Sequence, residues 1–569
     1  MTQLRASRCQ DTNTDSLRAL IYAGAFPAII MGIILLAITP VYETPDDVGM
    51  TMRAFGFGTF AEGSPYLIYS HYALGMVIRR LAGILGVSAY GWHTYLAILA
   101  ASILSNYALL RLLLDRRSLT VTASLNMLIL SPVCARPQFT IVAGMLAISA
   151  GLLMLSCHLK RPEARLASIL ILVVALAAGF YGYLIRPYSF YMICLVAAAG
   201  TLLTEPFVWS SRTKRILMIF LLFALGSWGL STLEAMSYSS DPRWLEFTRA
   251  RWARKSFYGY NRVRYSPGYQ EAFAKVRWTE NDLLMIKDWF FMHQPTYRAE
   301  TLESLLREFP IHRQLPANLP TIYRTATMLL RNHYLFIGLL ALILLILAMP
   351  PPARWRILLL SSVSMAVFAG IHLLGRFPFF RIYFPNLILL LYCSAIGYIH
   401  SFSSNAEKPA FFTSNPNSLL LLLCALALSQ TGLVLHQNLR NSARVLAVRA
   451  DVLLLDPRPD QLFVVWGNAL PLEWAFPPLV KDNPIRKMKL FGLSATSDTP
   501  YSMKRLFEFQ IQDLIQALYQ RQDVFLIARD IEVDKMLPTF IREHYGISTR
   551  PVLHFAGRTF TTYRLLPAD

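Results

Sequence analysis

The chain has 569 residues, 55% hydrophobic and 15% charged, with a mean hydropathy of +0.41 and a formal net charge of +20. A soluble globular protein carries about 25% charged residues, so the composition excludes that class and calls for lipid around the apolar excess. The positive charge does not imply nucleic acid. Its basic residues divide between short loops and one large loop, a distribution that suits anionic phospholipid and an anionic lipid-linked substrate.

Apolar runs of roughly 20 residues can cross the ~30 Å hydrocarbon layer as helices. About eleven such runs are expected, near 20–39, 90–113, 119–135, 138–158, 166–184, 187–207, 216–236, 332–349, 356–374, 382–400 and 418–436. The first follows basic residues, as a signal peptide does, but has no small-residue cleavage site and runs into Thr39-Pro40, so it reads as a retained anchor. Orientation follows from Lys and Arg beside the helix ends, which stay cytoplasmic. Arg111/Arg116/Arg117, Lys160/Arg161/Arg165, Arg212/Lys214/Arg215 and Arg354/Arg356 all fall on one side, together with Arg5, Arg8 and Arg18. An odd number of crossings then exports the C-terminus. Merging the short third run with the fourth would put the Arg212 and Arg354 loops outside, so the two are kept apart. The division is a cytoplasmic N-terminus over 1–19, a transmembrane domain over 20–436, and an external domain over 437–569.

Segment 40–89 is the first external loop. It opens with Glu43 and Pro45-Asp46-Asp47, reads helical to Phe55, and turns at Gly56-Phe57-Gly58. The stretch after Pro65, to Leu85, is apolar but interrupted by His71, Arg79 and Arg80, which suits an amphipathic helix on the membrane surface better than a span. Segment 237–331 is rich in Arg, Tyr and Trp, with helical periodicity broken by Pro310, Pro316 and Pro320. The tail reads as a small α/β domain: strands at 461–467 and 523–527, helices over 501–521 and 530–545, and a hairpin of 552–555 with 559–565 around Gly557. The six cysteines lie in or beside spans or in the cytoplasmic N-terminus, without a CxxC pair, so neither a disulfide framework nor a zinc site is expected.

The acidic pair Asp46-Asp47, with Glu43 beside it, is the sharpest chemical feature. A carboxylate at the membrane surface can take the proton from an acceptor hydroxyl. Adjacent helical residues diverge by about 100°, so one acid would serve as base while the other orients a basic partner or a divalent cation. The same residues also suit a helix N-terminus, where acids are favoured by the cap and the dipole, and the two readings are compatible.

An acidic motif in the first external loop, a surface helix over 65–85 and an inward second span together resemble the GT-C superfamily of polytopic membrane glycosyltransferases. The resemblance is architectural and covers the spans, this loop and an external C-terminal domain. It implies a polyprenyl-phosphate sugar as donor, an acceptor that is a cell-envelope glycan, lipid or protein, a location in a bacterial inner membrane, and a catalytic Asp at Asp46 or Asp47. A second resemblance is to uncharacterised bacterial membrane proteins of the same type. It rests on Asp46-Asp47 with Gly56 or Gly58, on 69–75 and 260–264, and on Asn281-Asp282 and Trp289-Phe290-Phe291. Those proteins often carry Asn where this chain has His71.

Loss of the sugar leaves a charged phosphate, which arginine binds through paired hydrogen bonds. Arg376 and Arg381 stand at an external helix end, with Arg136 and Arg186 at comparable depth. Arg381 is the preferred ligand, because an Arg-Tyr-Pro pattern opening a late span resembles the corresponding region of GT-C enzymes; snorkelling to lipid is the competing role. Glu43, His71, Asn261, Arg264, Asn281 and Asp282 are the candidates for binding substrate hydroxyls, although interfacial anchoring and helix capping also suit these residues. An O-antigen ligase or polymerase, a transporter and a non-catalytic envelope scaffold are the rival functions. A transporter should show discontinuous helices and midplane polar residues, and few charges fall inside these runs.

Overall fold

The computed structural model describes residues 2–159, 165–204, 211–258, 263, 265–309, 323, 327, 330–373, 379–403, 416–481 and 483–568. Among them the chain is mostly helical, and nine helices are long and apolar enough to cross a membrane. Two shorter apolar helices, Pro187–Ala199 and His333–Leu347, fall at the remaining two expected runs.

The first helices are α1 (Thr2–Ala37), α2 (Pro45–Phe55), α3 (Tyr72–Leu85), α4 (Ala89–Leu110), α5 (Arg116–Ala135), α6 (Phe139–Leu159) and α7 (Arg165–Ile185). Local chemistry sets their ends. Pro45 opens α2 with Asp46 and Asp47 in its first turn, and Gly56 closes it in the left-handed region at φ 71°. The third and fourth apolar runs are separate helices. Pro137 offers no N–H at the junction, and the Gln138 side chain restarts the ladder by accepting from the Thr140 and Ile141 N–H groups at 2.7 and 3.1 Å.

Helix ends sort to opposite faces of the bundle. At one face the chain after α1 meets the end of α5, with Val41 N–H on the Ala135 carbonyl at 3.0 Å and Glu43 N–H on that of Pro137 at 3.2 Å. The end of α7 joins them, since the Ser70 hydroxyl donates to the Ile185 carbonyl at 2.8 Å. At the other face Asn106 of α4 donates to the Ala23 carbonyl at 3.3 Å, and Arg111 reaches Cys157 at 2.9 Å.

Three boundaries differ from those read in the sequence. The surface helix begins at Tyr72, because Pro65 to Tyr69 is folded into tight turns, with Ile68 at φ 68°, and His71 is the N-cap. The last apolar run continues without interruption from Pro416 to Leu455, 40 residues and about 60 Å, so the C-terminal domain begins near 456 and not at 437. The 501–521 helix is two, Pro500–Glu508 and Leu514–Gln520, separated where Gln510 takes φ +54°.

The C-terminal domain is built on a five-stranded sheet of order β2-β1-β3-β5-β4: β1 (Leu462–Trp466), β2 (Lys489–Leu493), β3 (Val524–Ile527), β4 (Thr549–Ala556) and β5 (Thr561–Pro567). The first three are parallel and the last two form the antiparallel hairpin. Strand β2 was not anticipated; Lys489-Leu490-Phe491-Gly492-Leu493 is short and carries a glycine. One face of this sheet shares a hydrophobic core with residues 253–309, where the Trp466 indole donates to the Asp288 carbonyl at 2.7 Å. The segment between the membrane helices thus packs as part of the C-terminal domain.

Candidate active site

Helix α2 lies across the face where the ends of α1, α5 and α7 meet, and it separates its two aspartates. Asp47 points inward and is fully buried. It accepts from the Tyr90 hydroxyl at 3.0 Å, from the Phe139 N–H at 3.2 Å and from the Thr44 hydroxyl at 3.3 Å. Burial, with Asp46 adding to it, pushes its carboxyl up to about 8 against these stabilising bonds. Asp47 ties α2 to α4 and α6 and has no route to solvent. The Thr44 side chain makes no cap bond to the helix backbone. Asp46 keeps 31% of its side chain exposed and meets Arg381 Nη1 at 3.3 Å.

Glu43, one turn upstream, pairs with Arg136 at 2.7 Å. Burial raises its carboxyl, opposed by Arg136 and Arg381, while Glu473 raises it further. Three more arginines gather around Tyr69, two of them in the field of Asp46. Arg186 donates to the Tyr69 carbonyl at 2.9 Å and stacks over the Tyr69 and Phe139 rings. Arg251 lies 5.6 Å from the Tyr69 ring centre. Arg53 donates to the Leu67 carbonyl at 2.7 Å beneath them. Burial lowers Arg53 and Arg186 to about 10, and the field of Asp46 acts on both in the opposite sense. Among the described residues none of Arg53, Arg186 and Arg251 has a carboxylate partner. The cluster therefore holds more cationic charge than its acids neutralise, around Asp46 and the less exposed Glu43.

The C-terminal domain closes one side. Its short helix Leu472–Ala475 packs on α2, with Trp474 against the guanidinium groups of Arg136 and Arg444 at 5.7 and 4.8 Å. Glu473 is raised by burial and lies in the field of Arg136 and Arg444. A buried Arg505 fastens the domain to the loop after α2, donating to the Gly58 and Phe60 carbonyls at 3.0 and 2.6 Å. Leu490 N–H adds a bond to Gly58 at 3.1 Å. A Cβ at Gly91 would overlap the Pro478 carbonyl, so the backbone of α4 touches the domain directly.

The other sequence candidates fall elsewhere. His71 is a buried N-cap whose Nδ1 accepts from Ala73 N–H at 3.1 Å and whose Nε2 meets the Leu230 carbonyl at 2.8 Å, leaving neither ring nitrogen for substrate. Asn281 and Asp282 belong to the capping box of the Glu280–Lys287 helix: Asp282 accepts from Thr279 N–H and bonds His544 at 2.8 Å, and Asn281 donates to the Met536 carbonyl. They are cemented between the 270–309 segment and the C-terminal helix, away from Asp46. Among the described residues the only group with metal-holding spacing is Asp282, Glu543 and His544, which excludes both aspartates of α2. Asn261, Arg264 and Arg376 lie outside the described residues.

Sequence reasoning missed Arg53, Arg251 and Glu473. Arg53 follows Asp46 by seven positions, two turns along one face of α2, a signal that was available. Arg251 is one of many arginines in its segment, and Glu473 stands in no motif. Comparison with protein-family models, curated proteins and solved structures finds no match to this chain.

Proposed function

We propose that the chain, in a bacterial inner membrane, transfers a sugar from a polyprenyl-phosphate carrier to a cell-envelope acceptor, at the face of the bundle that carries α2, the external side by the charge bias of the loops. The observation that supports this reading is the accessible Asp46 carboxylate, 3.3 Å from Arg381 and in the field of Arg53 and Arg186, which have no carboxylate partner among the described residues. Asp46 takes the acceptor hydroxyl proton as that oxygen attacks the anomeric carbon. The carbon–oxygen bond to the carrier phosphate breaks, and the phosphate keeps the electron pair. Among the described residues Arg381 uses only Nη1 on Asp46, so its remaining N–H groups can bind the departing phosphate, with Arg186 and Arg251 adding positive field.

Asp47 has a different part: it fixes α2 against Tyr90 and Phe139 so that Asp46 faces outward. Extraction of lipid-linked sugars from a deletion strain tests the proposal. A polyprenyl-phosphate sugar should accumulate, and return of the wild-type gene but not the Asp46→Asn gene should clear it. An unchanged lipid-linked pool would remove the transferase reading.

A further inference from the structure

The Pro416–Leu455 helix packs along one side only. Its opposite side is exposed in steps of three and four residues from Leu422 to Leu453, a heptad pattern, and carries no acidic residue. In the bundle-level half this seam consists of Leu422 with the small residues Ala425, Ser429 and Gly432, and His436 follows at the face of the bundle. Lipid can cover that half. Beyond Asn438, which accepts from Thr39 N–H at 3.0 Å at the face of the bundle, the helix rises clear of the other membrane helices. There Leu439, Leu446 and Leu453 remain 71%, 65% and 64% exposed, alternating with exposed Ala443 and Ala450. Single exposed leucines need no explanation, but a contiguous apolar strip in water marks an interaction surface.

We infer that this seam pairs with the same seam of a second copy of the chain, parallel and in register. Side chains at 3.5-residue spacing, flanked by the equally exposed Leu421, Leu428 and Leu454, suit another helix. Leu alternating with Ala, continued below by Ala, Ser and Gly, permits close approach of two backbones. A second copy inserted in the same bilayer presents its seam in the same direction and at the same height, so the layers meet without offset. The flanking charges tolerate that register: Arg440 faces Leu435 of the partner subunit, and Arg449 faces Leu454 of the partner subunit, so no two arginines oppose each other, and the one ionisable seam residue, His436, meets His436 of the partner subunit. A strip about 47 Å long and ~10 Å wide on each copy gives about 1,000 Å² in total, the size at which an interface becomes credible.

Disulfide trapping in native membranes tests this directly. In a full-length chain freed of its six cysteines, Leu446→Cys should give, on mild oxidation, a product of twice the chain mass. Gln520→Cys, exposed on the far side of the C-terminal domain, should give at least tenfold less and reports random collision. Adding Leu439→Asp and Leu453→Asp should reduce the Leu446→Cys product at least fivefold at equal protein level. A Leu446→Cys yield no higher than that of Gln520→Cys, or a product whose mass shows a different protein, overturns the inference.

Discussion

Asp46 and Arg381 are 335 positions apart, yet the start of α2 and the start of the Phe380–Ser403 helix bring their side chains to 3.3 Å, each about 30% exposed. Asp47, the next residue, shares none of this: it is sealed inside by Tyr90 and Phe139. Two neighbouring carboxylates thus occupy environments that make opposite demands on substitution.

Asp46→Asn should leave a normally inserted protein whose transfer rate falls by roughly 10²–10⁴-fold, because an amide cannot accept the acceptor proton. Asp47→Asn should keep most of the rate, since its amide oxygen can still accept from Tyr90 and Phe139. Initial rates on a radiolabelled polyprenyl-phosphate sugar in vesicles check both. Equal loss in the two variants would give Asp47 a part in the chemistry.

Stability should depend on pH through Asp47. Its folded carboxyl is raised to about 8, so between the unfolded value near 4 and about pH 8 the folded chain binds more protons than the unfolded one. Stability is therefore full at the acid end of that window and declines as pH rises through it. Melting temperature followed from pH 5 to 9 should fall in the wild type, with a flatter profile in Asp47→Asn.

Arg381→Lys keeps the charge and loses the planar fork. Its half-saturating donor concentration should rise severalfold, whereas Arg79→Lys, on the exposed side of α3, should behave as wild type. Indistinguishable donor titrations of the two variants would take Arg381 out of the phosphate site.

Removing the Arg505 guanidinium leaves the Phe60 carbonyl without its buried donor, at about 1–3 kcal/mol, and leaves the Gly58 carbonyl with the Leu490 N–H alone. Arg505→Met should accelerate proteolytic cleavage in the 456–460 connection, and Gly91→Ala should do the same by pushing on Pro478. Cleavage at the wild-type rate in both would mean that the domain is held elsewhere.

Sidedness rests on loop charge and has its own test. A reporter active only outside the cytoplasm, fused after Asp569, should be active, and one fused within 210–215 should be silent. Reversed signals would turn the α2 face toward the cytoplasm.

The apolar helices were legible because a span is a local property: about 20 residues without charge announce themselves in one window. Helix α2 was legible for the same reason, with Pro45 and two acids at its start and glycines at its end. The strands β1 and β3 are runs of Val, Leu, Ile, Phe and Trp, whereas β2 owes its place to pairing with β1 and to Leu490 bonding Gly58, neither visible in five residues. Division of labour between Asp46 and Asp47 could not be read either, since it depends on which way α2 rolls against Tyr90. His71 and Asp282 misled because a polar residue in an otherwise apolar or aromatic segment looks the same whether it meets substrate or a backbone N–H. The long helix ran past its expected end because hydropathy stops at the edge of lipid while helical geometry does not.

That uninterrupted helix is pinned at two heights, by Asn438 on Thr39 at the bundle and by Asp451 on Thr559 at the turn of the hairpin, where the carboxylate accepts from both the N–H and the hydroxyl at 2.7 and 2.6 Å. One residue inserted between these points would rotate everything above it by about 100° and lift it by about 1.5 Å. Seven would restore the azimuth to within about 20° and lift it by about 10 Å. Neither displacement leaves Arg505 on the loop after α2 or Trp474 beside Arg136. The interval between Asn438 and Asp451 should therefore hold its length fixed, so that natural variants of this chain differ there in composition and not in residue count.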